Sequence, residues 1–301
     1  MTKTENNILL FSVTLCWAAS YLFIKNLPAD FSPYAYLTMT TGLAALLMAV
    51  IFWERLKNLK ADIWKKGFLL SIILSLNLLA EKKGISLLAP SNASFLAALT
   101  ILIVPALLLL FRHRPDKNHM IGAVIILTGL CVSTGFSLEG FYNTGSLYML
   151  AGCVLSAIYT IAVDRYAKEE DPLLICIVQM IFTAVIGLCL WFTEDPAVFF
   201  NVTYSRKLLS NIFILAFFAK AYAYIVLIFS QKYTDAVSVT IIASTEPVVT
   251  LVLSVLLPAA YGGAQGIGPA SAAGAIIIAA GAVVSGMRFP QEKEKQAREC
   301  G

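Results

Sequence analysis

The chain has 301 residues, 59% hydrophobic and only 13% charged, with mean hydropathy +0.80, against roughly 25% charged residues in an ordinary soluble domain. That excess of apolar surface is too large for a soluble core to hide, and a membrane is the solvent it fits. The net charge of +4 is small and the basic residues sit in short connectors, so nucleic-acid binding has little electrostatic support. Apolar runs of roughly the 20 residues needed to cross a bilayer fall at about Ile8 to Ile24, Tyr34 to Trp53, Gly67 to Leu88, Ala93 to Phe111 and Met120 to Phe136. Five more follow at about Leu147 to Val163, Leu173 to Phe192, Leu208 to Ser230, Ala236 to Leu257 and Ala270 to Met287, with a polar tail from Phe289 to Gly301. Only helices satisfy their own backbone groups in lipid without closing a barrel, so all ten runs are expected to be helical. The first run is too long for a signal-peptide core of roughly 7 to 15 residues and lacks a small-residue cleavage site, so it reads as a retained span.

With the N-terminus inside, sixteen Lys and Arg residues face the cytoplasm and three, Lys25, Arg206 and Lys207, face outside. This bias places both termini in the cytoplasm by the positive-inside rule. The fifth and tenth runs read Gly122-AVIILT-Gly129-LCV and Gly274-AIIIAA-Gly281-AVV, two copies of one pattern. Tyr21 and Tyr159 in spans one and six, Pro33 and Pro172 before spans two and seven, and Pro105 and Pro247 within spans four and nine extend the repeat. Each half holds an odd number of spans, so the halves insert with opposite orientation, an architecture that recurs in transporters around a site near the midplane. The expected fold is an all-α membrane protein of ten transmembrane helices as two inverted five-helix repeats, 1–140 and 141–288, followed by a cytoplasmic tail, 289–301.

The segment Trp17-Ala18-Ala19-Ser20-Tyr21-Leu22-Phe23-Ile24-Lys25, the link Gly84-Ile85-Ser86-Leu87-Leu88-Ala89-Pro90-Ser91-Asn92-Ala93-Ser94-Phe95-Leu96, and Val163-Asp164-Arg165-Tyr166-Ala167-Lys168 with Asp171-Pro172 and Gln179 form a distributed pattern. Together with Gln231-Lys232-Tyr233-Thr234 and Glu246-Pro247, it resembles the drug/metabolite transporter superfamily, specifically its EamA-like ten-span members, over nearly the whole chain to about Met287. The resemblance implies a central cavity lined mainly by the first four spans of each half, with a peripheral fifth span that supports packing. Thr40 stands where many relatives place an arginine in span two, and Glu81-Lys82-Lys83 replaces a run that is more often uncharged. The acidic residue that often follows spans four and nine is absent.

Charges inside a bilayer cost about 2.5 to 3.5 kcal/mol on insertion scales and usually face a cavity or a partner. A rise of about 1.5 Å per residue puts Asn77 near the midplane and Glu81 about 6 Å further outward, with Lys220 and Glu246 near the middle of their own spans. The four are expected to converge, with Lys220 in an ion pair with Glu81 or Glu246 for which a charged solute or a proton competes; a fixed pair that only sets helix register is the plainer alternative. Lys82 and Lys83 point to other faces and are expected to snorkel outward. Trp17, Tyr21, Tyr159 and Tyr224 form a candidate aromatic box for an apolar or cationic group, and Gln179 a candidate cavity amide. Trp53, Trp64 and Trp191 at span ends read as interface anchors. Pro105 and Pro247 each remove a helical hydrogen bond and make a candidate pair of hinges. The glycines at spacing seven permit close helix approach. His113 and His119 carry no ligand spacing, and five of the six cysteines lie in apolar runs without Cys-x-x-Cys, so neither a metal nor another cofactor is expected.

A membrane enzyme would need a constellation such as His-Glu-x-x-His or Gly-x-Ser-x-Gly, and ATP-driven transport a phosphate-binding loop; the sequence contains none of these. A sensor or structural membrane protein would usually append a soluble domain, and the connectors here are short. The reading is therefore a secondary transporter in the cell's inner membrane, a monomer or homodimer. Its partners are the bilayer and a small solute, and the driving force is a proton, a counter-solute or the solute gradient alone. Intramembrane charge favours a charged or zwitterionic solute, such as an amino acid or related metabolite, over a purely apolar drug, with export as one direction; a multidrug or organic-cation efflux carrier is the alternative.

Overall fold

The structure, a computed structural model, describes residues 2–110, 117–133, 143–194, 202–258 and 268–286, and among these there is helix and no strand. In chain order the helices are α1 (Lys3–Lys25), α2 (Pro33–Ile51), α3 (Ala61–Leu87), α4 (Pro90–Ala97), α5 (Thr100–Leu110), α6 (Lys117–Ser133), α7 (Thr144–Glu169) and α8 (Pro172–Glu194). They continue with α9 (Arg206–Ile214), a π-helical turn (Leu215–Tyr222), α10 (Ala223–Gln231), α11 (Ala236–Ala243), α12 (Glu246–Leu256) and α13 (Pro269–Gly286). Eight stretches among the described residues are long and apolar enough to cross a membrane: α1, α2, α3, α4 with α5, α7, α8, α9 through α10, and α11 with α12. The fifth and tenth expected spans appear as the shorter apolar helices α6 and α13, and their last residues, like the tail 289–301, lie outside the described residues.

Local chemistry sets the starts. Thr2 and Glu5 close a capping box on α1, each satisfying a backbone N–H that the first turn leaves free. Ser32, Asn143, Ser205 and Asp235 cap α2, α7, α9 and α11 with side-chain oxygens. The two prolines noted before spans two and seven, Pro33 and Pro172, occupy first helical positions, where a missing N–H costs nothing.

The most extensive packing joins α6 to α13, α3 to α7, α2 to α8, α3 to α8 and α2 to the π turn, and α1 packs on α12, α10 and the π turn. The glycines at spacing seven meet in the α6–α13 pair. A Cβ on Gly129 would lie 2.8 Å from Gly274 O, and one on Gly274 would lie 2.5 Å from Gly129 O. The two backbones therefore touch directly, as the sequence pattern required. One buried cluster gathers the N-terminal half of α1 (Leu10, Val13) with α10 and the facing ends of α2, α3, α7 and α8. A second gathers the opposite ends around Ile24, Tyr36, Ile85 and Met149. Trp53 and Trp64 are exposed at helix ends as expected, whereas Trp191 is 2% exposed and packs inside the second cluster; it is core, not an interface anchor.

Candidate functional site

A cavity of about 90 Å³ lies where these helices meet. At roughly 10–15 Å³ for a water molecule, it has room for several waters or a compact solute. Its wall comes from α1, α3, α7, the π turn with α10, and the junctions α4/α5 and α11/α12. Spans two and seven of the expected first-four-span lining contribute no lining residue, because α2 and α8 pack against each other and sit one layer behind.

Of the nine residues singled out as substrate-binding candidates, Trp17, Tyr21, Asn77, Glu81, Tyr159, Lys220, Tyr224 and Glu246 line this cavity. Gln179 does not. It is fully buried on α8 and accepts a hydrogen bond from the Tyr159 hydroxyl at 3.0 Å, so it steadies a lining residue from behind. Asn77 donates from Nδ2 to Gly152 O at 3.0 Å and to Glu81 Oε1 at 3.3 Å, tying the Glu81 carboxylate to the α3–α7 contact. Trp17, Tyr224 and Tyr159 form a chain of edge contacts with centroids 5.7 and 6.0 Å apart, a favoured aromatic geometry.

The expected contact ion pair is absent. Neither Glu81 nor Glu246 comes within 4.0 Å of Lys220 Nζ. The ammonium instead lies over the rings of Tyr36 and Tyr224, 5.7 Å from each centroid, where the negative ring faces attract a cation. Glu81 still feels Lys220, and Glu246 feels Glu81 and borders the Tyr21 hydroxyl. The cavity thus keeps one amine and two carboxyl groups on its wall without contact between opposite charges. Two acids facing one base in a low-dielectric space leave room for a further cation or proton.

The prolines are not a matched pair. Pro247 is in the first turn of α12, directly after a break at 244–245, but Pro105 sits inside α5, five residues past its start. The matched features are the breaks themselves. Span four is interrupted at Ala98 and Leu99, span nine at Ser244 and Thr245, and in each a hydroxyl takes a carbonyl of the preceding turn: Thr100 to Ala97 O at 2.8 Å, and Thr245 to Ile242 O at 2.7 Å. Glu246 opens α12, and Thr100 opens α5. Lys82 also departs from expectation. It is 3% exposed rather than snorkelled, because α3 carries it inward beside α1, where the charge that acts on it is Lys25. Lys83 lies over the Tyr148 ring at 5.4 Å.

Sequence reading missed Tyr36, the π turn and the hydroxyl-lined breaks. Tyr36 lies one helical turn before Thr40, whose own hydroxyl is spent on Tyr36 O at 2.7 Å.

A helical membrane protein with broken helices converging on a polar cavity belongs to the class of membrane transporters, and comparison with known proteins makes the family explicit. The sequence profile of the EamA-like transporter family matches residues 6–135 and again 143–287. The chain therefore belongs to the EamA-like transporter family, part of the drug/metabolite transporter superfamily. It is 23% identical over 262 residues to an uncharacterized transporter of Archaeoglobus fulgidus, covering 84% of this chain and 80% of that one. It is 24% identical over 260 residues to the uncharacterized transporter YyaM of Bacillus subtilis, covering 82% and 84%. A crystal structure with 19% identity superposes with a TM-score of 0.71 over 94% of this chain and 98% of the other, so the fold is shared.

Proposed function

We infer that this protein is a secondary transporter that moves a small charged or zwitterionic solute, of amino-acid type, across the cytoplasmic membrane by alternating access. The observation that carries the reading is the separation of charge on the cavity wall. Lys220 is presented on one side by aromatic faces, Glu81 and Glu246 on others, and none is quenched by an opposite charge in contact. A solute carboxylate suits Lys220, and a solute ammonium suits the two acids and the rings of Trp17 and Tyr21. In this reading the chain has ten spans in two inverted repeats, 1–140 and 141–288, with both termini and the tail 289–301 cytoplasmic. The double family match and the discontinuous fourth and ninth spans support it, since broken helices at mid-membrane are where transporters place their sites. The excess of acid over base supports a proton as coupling ion.

A single observation favours a second reading: two carboxyl groups and an aromatic wall also suit an organic cation. Counterflow in proteoliposomes separates the two, with pools of labelled amino acids and of organic cations, with and without a pH gradient. Saturable exchange of amino acids is expected, reduced at least tenfold in Lys220→Met and in Glu246→Gln. Exchange of cations alone, indifferent to Lys220→Met, would replace the first reading with the second, and no exchange of either pool would remove both.

A further inference from the structure

An α-helix bonds each N–H four residues back, and a π-helical turn bonds five back, so the register must change twice around a π segment. At the far end of this one, Ala223 N–H reaches Phe218 O, five residues back, and also Lys220 O. The helix resumes its ordinary register in α10, and the change bypasses one carbonyl, that of Ala219. An unmet backbone carbonyl inside a membrane is costly. It is met here from another helix: Trp17 on α1 donates from Nε1 to Ala219 O at 3.3 Å. The same turn is tied to α1 a second time by the hydroxyls of Ser12 and Tyr222, 2.8 Å apart. Lys220, the next residue after Ala219, is 4% exposed and lines the cavity.

We propose that Trp17 is a positioning residue, whose indole N–H occupies the carbonyl that the π register bypasses and thereby fixes the direction of Lys220. Were the segment to revert to α register, one residue would be absorbed and the side chains on one side of it would turn by about 100°, taking Lys220 off the cavity wall. The role explains why Trp17 lines the cavity yet spends its one hydrogen-bond donor on backbone, where it is not free for a solute. It rests on the reading of Lys220 as a solute-facing amine, and the test keeps the two apart.

Trp17→Phe retains a ring against Tyr224 and deletes the N–H. In the purified full chain in nanodiscs, hydrogen exchange of peptides covering residues 215–224 is expected to rise roughly threefold to tenfold, as befits one lost hydrogen bond, with α12 unchanged. In counterflow, Trp17→Phe is expected to raise KM more than it lowers turnover, and to add nothing in a Lys220→Met background, since residues acting through one another are not additive. Exchange equal to that of the parent chain, or full additivity with Lys220→Met, overturns the proposal. Where no solute is transported, the exchange measurement decides alone, and Trp17→Tyr takes the place of the phenylalanine variant if that chain does not fold.

Discussion

Glu246 and Lys82 are both buried ionisable residues, at 8% and 3% exposure, yet their surroundings differ in sign. Glu246 opens α12, where the unpaired N–H groups of a helix start favour negative charge, and Tyr21 borders it. Lys82 is buried with the like charge of Lys25 acting on it, and burying a charge beside a like charge is a net cost to the fold. Lys82→Met, which keeps the apolar stem, is therefore expected to raise the melting temperature, by about 2–4 °C for each kcal/mol recovered in a chain of this size. A lower melting temperature would mean that the ammonium has an anionic partner in the membrane. Glu246→Gln is expected to change melting little and to reduce counterflow at least tenfold. These charged residues were legible in the sequence because a charge inside an apolar run stands out. Tyr36 was not, since aromatic residues occur throughout such runs and only the fold shows that its face receives Lys220.

At the scale of elements, eight of the ten expected spans were legible as long apolar stretches and their interruptions were not. Hydropathy averages over about twenty residues and does not register a two-residue lapse in the hydrogen-bond ladder. Of the two prolines expected to act as hinges, only Pro247 adjoins a lapse. The break in span four holds no proline and is completed by the Thr100 hydroxyl. The π turn, LAFFAKAY, holds neither glycine nor proline, and its register is stabilised by a donor on α1 that no local pattern reveals. The two prolines should accordingly respond in opposite ways. Pro105→Ala restores an N–H within α5 and is expected to raise the melting temperature and leave counterflow nearly unchanged. Pro247→Ala supplies an N–H that can bond to Ala243 O across the break. It is expected to straighten span nine, withdraw Glu246 from the cavity and reduce exchange at least tenfold without lowering melting. Equal effects of the two variants in both measurements would contradict the assignment of the break to Pro247 alone.

Across the whole molecule, contacts run mainly between the halves: α3 with α7, α2 with α8, α1 with α10 and α12, α6 with α13. Composition and periodicity announce that each helix has an apolar face, but not which partner covers it, so this arrangement was not legible in the sequence. The cavity is bounded by one buried cluster toward the N-terminal end of α1 and another toward its C-terminal end, and each end also carries a polar tie between halves. At the first, Lys66 Nζ lies 2.9 Å from Glu169 and 2.7 Å from Glu170, with Arg55 3.5 Å from Asp171. At the other, Ser32 donates to Glu194. Under the alternating access proposed above, opening one end requires its tie to part while the other holds, so each tie weights one side of the equilibrium. Lys66 and Glu170 are about one-fifth exposed, and a pair in such a setting contributes about 1 kcal/mol. Lys66→Met should shift the balance by roughly fivefold toward opening of this end, which the proposed topology places in the cytoplasm. In a cysteine-free background with a single cysteine at Ser71, one turn inward on α3 and fully buried, Lys66→Met is expected to speed labelling by a membrane-impermeant thiol reagent applied from the cytoplasmic side of inverted vesicles. Ser32→Ala should slow the same labelling. Equal rates in all three chains would mean that the apolar clusters alone hold the ends closed.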